Sequence, residues 1–446
     1  MALSANTVIE VQGGVGADTN GGGFVTGASG TDWSQQASPQ YSVTDGVTAG
    51  TTTITSLTAN FGTDVVGNLI YVQGGTGAVA AGWYQIISRT NATTIVVDRA
   101  TGLTAGTGVT LKIGGALATI GAGLALMTVS GMTMYVKNTA TYSIGTGLTW
   151  PAGPNYGAET RMVGYTTTRG DGGRAIVKAT AAIVGLTMGQ SGCGVENFEF
   201  DGNSTGTTGI LVSASFMPSV YNVWAHHWTA EGINATSNLA AISRCEVSNC
   251  VGTNGALAIA SGCTLIFCYS HDNTKSGFYT AANSNVDYCV SANNTGANSH
   301  GFSSQYGTAF MGCIAYNNAG SGFFFGTPIA APMTNCIAVS NGLYGVNLGL
   351  TGSPSLPWIN YNAFYNNTSG ARNGIGAGAN DVTLTGVPFT NAAGGDYSLN
   401  NTVGQGAACR SVGFPGATLY GTGYADIGPL RHQDPSASTN IYPIFD

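Results

Sequence analysis

The chain carries very little charge. Only 7% of its 446 residues are Asp, Glu, Lys or Arg, where a soluble domain usually has about 25%. Lysine occurs only at Lys112, Lys137, Lys178 and Lys275. Salt bridges therefore cannot organise the surface. With a net charge of −7 and no Lys/Arg cluster, nucleic acid is excluded as the main partner. Proline is scarce at 13 residues while hydrophobic residues reach 43%, which excludes a disordered chain. The cysteines number nine, an odd count that does not make a complete disulfide framework. Long apolar runs are missing too. The uncharged stretch between Lys112 and Lys137 is broken by Gly, Thr and Ser, so no membrane span is expected. The start, Met1-Ala-Leu-Ser-Ala-Asn, lacks the basic and apolar regions of a secretory signal, and export by that route is not expected. Glycine is abundant, at 69 residues, but without the period of three that collagen needs. The remaining surface is Gly, Ser, Thr and Asn, a β-rich and turn-rich composition.

A repeat organises the middle of the chain. Cys245, Cys268, Cys289, Cys313 and Cys336 are separated by 23, 21, 24 and 23 residues. Their surroundings agree: Cys289-Val-Ser-Ala-Asn-Asn, Cys313-Ile-Ala-Tyr-Asn-Asn, Cys336-Ile-Ala-Val-Ser-Asn, and the variant Cys268-Tyr-Ser-His-Asp-Asn. Asn197-Phe-Glu-Phe-Asp-Gly and Asn222-Val-Trp-Ala-His-His read as earlier copies, and Asn362-Ala-Phe-Tyr-Asn-Asn as a later one. A second landmark follows at Gly277-Phe278, Gly301-Phe302, Gly322-Phe323 and Gly345-Val346. Gly209-Ile210, Gly232-Ile233 and Gly374-Ile375 fit the same slot. A repeat of about 23 residues built from short strands predicts a parallel β-solenoid. The slot glycines are expected at bends with φ > 0.

In such a coil, equivalent residues stack about 4.8 Å apart. Asn273, Asn294, Asn318, Asn341 and Asn367 then form one column, a turn ladder of side-chain amides. The cysteine column faces inward with Val247, Ser270, Ser291, Ala315 and Ala338. It reads as a stack of buried free thiols, because the rung spacing exceeds the roughly 3.8 Å Cβ separation of a disulfide. The residues between them face out: Glu246, Tyr269, Val290, Ile314 and Ile337. Three aliphatic residues in an outward column require a cover, either a loop or another subunit.

The phrases Cys-Ile-Ala-Tyr-Asn-Asn and Gly-Phe-Phe resemble the coils of right-handed parallel β-helix proteins of the pectate-lyase-like superfamily, over roughly residues 115 to 430. Met134-Tyr-Val-Lys-Asn-Thr-Ala-Thr-Tyr is similar to the first coil of that fold, and Ala116 to Met127 to its capping helix. Asp396-Tyr-Ser-Leu and Asp426-Ile-Gly resemble closing segments. Val66-Gly-Asn-Leu-Ile-Tyr-Val, Gly82-Trp-Tyr-Gln-Ile-Ile and Thr94-Ile-Val-Val read as strands of a compact module ahead of the solenoid. This layout resembles structural proteins of tailed bacteriophages. The expected division is an N-terminal β-module over 1–112 that docks to the virion, an all-β right-handed parallel β-helix over 113–395, and a closing segment over 396–446. The resemblance implies a homotrimer on the virion surface, assembled in the host cytoplasm.

Glycan cleavage on such a scaffold needs paired carboxylates, or a calcium-binding acidic cluster with a base. The candidates are Glu196, Glu199, Asp201, His226, Glu231 and Asp272, with Asp201 and His226 expected in one column about 5 Å apart. Asp272 is placed in that column two coils beyond His226. No metal site is expected at His226-His227, because neighbours on a strand point to opposite faces. His300 and His432 stand alone, and no cofactor motif is present. Tyr316, Phe323, Phe324 and Tyr365 form a candidate glycan-contact stripe, whose competing role is packing. The weak acid inventory favours a non-enzymatic virion structural protein, a capsid decoration or tailspike-like fibre. The rivals are a glycan-degrading depolymerase and a non-catalytic glycan-binding adhesin, both with host polysaccharide as partner.

Overall fold

The computed structural model describes residues 3–151, 158–214, 216–327, 332–349, 358–414 and 425–428. Two compact units divide the chain: Met1–Lys178 with Leu186–Glu199, and Ala179–Gly185 with Phe200–Asp446. The architecture is mostly β, a solenoid of about nine turns with a small six-strand barrel and one short helix.

In the first unit, six strands close an antiparallel barrel: Tyr41–Thr48, Thr53–Thr55, Leu69–Gln73, Gly82–Asn91, Thr94–Val97 and Gly106–Ile113. Alternation fills it, with Ile54, Ile70, Val72, Tyr84, Ile86, Ile95, Val97, Leu111 and Ile113 buried. The boundary differs from the expected 1–112 module. Strand Thr7–Gln12 pairs in parallel with Thr133–Lys137, which pairs with Thr160–Tyr165. Strand Thr7–Gln12 therefore belongs to the solenoid, and the barrel is inserted between two neighbouring rungs. A buried ion pair fixes that entry: Arg169 donates to Glu10 at 2.7 Å and reaches Asp32 at 3.2 Å. The Tyr165 hydroxyl also donates to Glu10. The capping helix is shorter than expected, Ile120–Leu126. Thr119 caps it by accepting from the Ala122 amide, and Ile120, Leu124 and Leu126 are buried.

In the second unit each coil carries three strands. One coil runs Ser276–Ala282, Asn285–Asp287 and Val290–Ala292. The next runs Phe302–Tyr306, Ala309–Met311 and Ile314–Tyr316. Each strand pairs in parallel with its equivalent one coil on. The corners on either side of the third strand each need one left-handed residue. Arg244, Phe267, Tyr288, Gly312, Asn335 and Tyr361 fill the first, and Asn249, Asp272, Asn293, Asn317, Ser340 and Asn366 the second. The left-handed geometry thus falls on the residue before each ladder asparagine, not on the ladder itself.

The ladder asparagines are buried. Nδ2 of Asn273, Asn294, Asn318 and Asn341 each donates to Oδ1 of the next, at 3.0, 2.7, 3.0 and 2.8 Å. The same oxygens accept the backbone amides of Asn273, Asn294, Asn318 and Asn341. Buried amides this well matched are satisfied rather than costly. Cys245, Cys268, Cys289, Cys313 and Cys336 are all free and fully buried. Phe278, Phe302 and Phe323 stack with ring centroids 4.8 Å apart.

The slot glycines correct an expectation. Gly277, Gly301, Gly322 and Gly345 do not have positive φ. What they lack is room. A Cβ on Gly301 would lie 2.6 Å from the Gly322 carbonyl oxygen and 2.9 Å from Asn318 Nδ2. In the last coil the slot is not Gly374-Ile375. Pairing of Val346 with Arg372 gives it to Ala371-Arg372.

The aliphatic column is covered by the chain itself. Val290, Ile314 and Ile337 are buried in a cluster with Leu384, Phe389, Ala392, Tyr397, Cys409 and Ile427. Phe389–Asn391 and Asp396–Leu399 pair as a short antiparallel ribbon over it. The cover is a loop rather than a second subunit, and it begins before residue 396.

Candidate functional site

Two outward columns run along the third strands. One reads Trp224, Glu246, Tyr269, Val290, Ile314, Ile337. The other reads His226, Ser248, His271, Ala292, Tyr316, Val339, Tyr365. The later coils are apolar and lie under the closing segment. The earlier coils are polar. At the change of character sits a cavity of about 400 Å³, lined by Glu246, Tyr269, His271, Asp272, Asn293 and the turn Ala392–Gly395.

His271 is the hub of this cavity. Its Nε2 lies 3.1 Å from Glu246 and its Nδ1 2.6 Å from Asp272. Its ring stacks on Tyr269 at 4.1 Å, and the Tyr269 hydroxyl is 3.3 Å from that of Tyr397. Burial works against a charged ring, but hydrogen bonds to Glu246 and Asp272, and their negative charge, raise the His271 pKa above its ordinary value. The folded protein thus holds this proton more tightly than the unfolded chain. The contribution to stability is complete below about pH 6.5 and fades as pH rises through the folded value. His271→Gln is expected to cost about 1 kcal/mol near pH 5.5 and clearly less near pH 9. Thermal unfolding at both pH values checks this, and an equal loss at both would contradict it.

A second cluster lies at the polar end. Asp201 Oδ1 is 3.7 Å from His226 Nδ1 and 3.9 Å from His227 Nδ1. The two Nδ1 atoms are 2.6 Å apart. The expectation that these neighbours diverge fails because His227 has left the strand Ser219–His226. It occupies the left-handed corner, with φ 57°. Trp224 packs on His226 with centroids 4.1 Å apart, and its indole N–H donates to Ser248.

The other candidates are not gathered here. Glu196 is paired with Arg161. Glu199 lies on the strand Cys193–Asp201. Glu231 is buried and accepts from the Thr253 amide. Asp272 stands one column over from the place expected for it, since His226 aligns through Ser248 with His271. The stripe of aromatics is also revised. Phe323 is fully buried in the phenylalanine stack. Tyr316 packs edge-on against Phe389 and Tyr397, and Tyr365 belongs to the same cluster. Phe324, between the buried Phe323 and Phe325, points away from the phenylalanine stack and lies on His300. Burial lowers the His300 pKa to about 4, and its Nδ1 accepts from the Ser321 amide. His432 lies outside the described residues. Sequence reasoning missed the pairing of Glu246 with His271, although both stood in outward columns of adjacent coils.

No family model matches the chain, and neither does any curated protein. Solved structures do. Pectate lyase Pel9A matches at 14% identity over 71% of this chain and 92% of its own, with a TM-score of 0.54. The fold is pectate-lyase-like, a right-handed parallel β-helix. The ORF18 protein of Geobacillus virus E2 matches at 15% identity over 57% of this chain and 52% of its own, with a TM-score of 0.43. The periplasmic alginate epimerase AlgG matches at 13% over 57% and 76%, with a TM-score of 0.31. At such identities the pectate-lyase-like fold is established and the activity is not.

Proposed function

We propose that this protein is a non-enzymatic structural component of a bacteriophage virion. It would be displayed on the particle surface as a capsid decoration or tailspike-like fibre, with the N-terminal part docking to other virion proteins. One observation carries the reading. Internal stacking extends to the outer face, where the chain seals its own aliphatic column with Leu384, Phe389, Ala392, Tyr397, Cys409 and Ile427. Buried amides, thiols and phenyl rings serve rigidity, and the sequence layout resembles phage structural proteins. A homotrimer remains the proposed assembly on that resemblance, since the aliphatic column no longer calls for a partner. The test is mass spectrometry of density-gradient-purified particles from a host carrying the gene. The protein is expected in the particle band at tens of copies, as an order of magnitude for symmetric assemblies. Its absence from that band would overturn the proposal.

The cavity at Glu246, His271 and Asp272 favours a second reading, a glycan-acting surface. Carboxylates bridged by an imidazole beside the half-buried ring of Tyr269 are suited to sugar hydroxyls. That reading predicts release of reducing ends or unsaturated sugars from host polysaccharide, lost in His271→Gln. Turnover of this kind would displace the non-enzymatic reading.

A further inference from the structure

We propose that Asp201, His226 and His227 form a binding site for a divalent transition-metal ion of the zinc class. Three ligand atoms converge, one carboxylate oxygen and two imidazole nitrogens, all within 4.8 Å of one another. Nitrogen donors with one carboxylate suit Zn²⁺, Co²⁺ or Ni²⁺, whereas a hard ion such as Ca²⁺ calls for more oxygens.

The distances fit with a small adjustment. In a tetrahedral zinc site with bonds near 2.0–2.1 Å, ligand atoms stand about 3.3 Å apart. The Asp201 separations of 3.7 and 3.9 Å are close to this. The two Nδ1 atoms, at 2.6 Å, must open. His227 can supply that movement, because its side chain is 48% exposed. His226 is the fixed ligand: its side chain is only 7% exposed and its ring is held by Trp224. The Trp224 contact limits the ring positions open to His226. The Asp201 carboxylate is oriented as well, accepting the Asn203 amide at 2.7 Å. The geometry arises because His227 takes the left-handed corner position. A strand continuing through residue 227 would have sent the ring to the other face. The exposed side of His227 leaves a fourth position to water, so the ion would tie two neighbouring coils together while remaining open to an outside ligand.

The experiment uses the full chain without a polyhistidine tag. It is titrated with Co²⁺, read by visible absorption, and with Zn²⁺ in competition. One ion per chain is expected, with a visible band and displacement by Zn²⁺. His227→Ala, at a half-exposed position, is expected to weaken binding at least tenfold while keeping the unfolding temperature of the metal-free protein. Asp201→Asn gives a second reading of the same loss. X-ray absorption of the zinc-loaded protein should show only nitrogen and oxygen neighbours. The proposal is overturned by no binding, by unchanged affinity in His227→Ala, or by sulfur neighbours, which would place the ion on the cysteines.

Discussion

Replacing Asn318 by leucine is expected to destabilise the second unit by about 4 kcal/mol. The side-chain oxygen of Asn318 accepts from the backbone and side chain of Asn294, and its Nδ2 donates to Asn341 and to the Ser291 carbonyl. Leucine has the same branching and is somewhat larger, so none of the loss comes from a cavity, and crowding adds to it. The cost arises because two donors and two acceptors in a buried site lose a partner, at about 1–3 kcal/mol for each group left unsatisfied. Asn318→Asp separates this account from a packing effect. Aspartate keeps the accepting oxygen but turns a second oxygen toward Asn341 Oδ1 and the Ser291 carbonyl. Its loss should be larger than leucine's at neutral pH and smaller at acid pH, where the carboxyl regains a proton to donate. Denaturant unfolding of the three proteins at two pH values provides the measurement. If leucine costs under 1 kcal/mol, the ladder is an ornament of the packing.

Gly301→Ala is expected to cost about 3 kcal/mol. The added methyl would meet the Gly322 carbonyl of the next coil at 2.6 Å and Ala315 Cβ at 2.9 Å. Both belong to the stack, and neither can swing away as a flexible side chain would. Overpacking of this kind typically costs 1–3 kcal/mol. Gly395→Ala is the comparison. Gly395 has φ 81° and open space around its Cβ position, so alanine there costs only the left-handed conformation, about 1 kcal/mol. Equal losses at the two sites would mean that the close approach of neighbouring coils does not explain the slot glycines.

These two residues also show what the sequence could and could not tell. The spacing of Cys245 to Cys336 was enough for the coil length, the inward thiols and the ladder, because stacking repeats the same environment every turn. It misled at the glycines, since spacing marks where glycine recurs but not whether torsion or crowding demands it. The phrase Asn222-Val-Trp-Ala-His-His lies one residue out of register with the cysteine phrases it resembles. Asn222 is a left-handed corner residue like Arg244, so Val223, not Asn222, takes the cysteine's place. That slip put Asp272 in the column of His226 and hid His271. It also hid the convergence of His226 and His227, since a corner residue does not obey strand alternation. His227 could have been found by its match to Asn249 and Asp272, both turn-forming types. Glu10 and Arg169, 159 residues apart, left no periodic trace. The cover over Val290, Ile314 and Ile337 was legible as a need, but its source lay in a segment without repeats.

Rigidity of the second unit requires its coils to form one continuous stack. Native-state hydrogen exchange tests this at the amides of Cys250, Asn273, Asn294, Asn318 and Asn341, each of which donates to the ladder oxygen of the next coil. All five are expected to exchange only through global unfolding of the unit, with one common free energy and one common denaturant dependence. Exchange at five different, lower free energies, coil by coil, would contradict it.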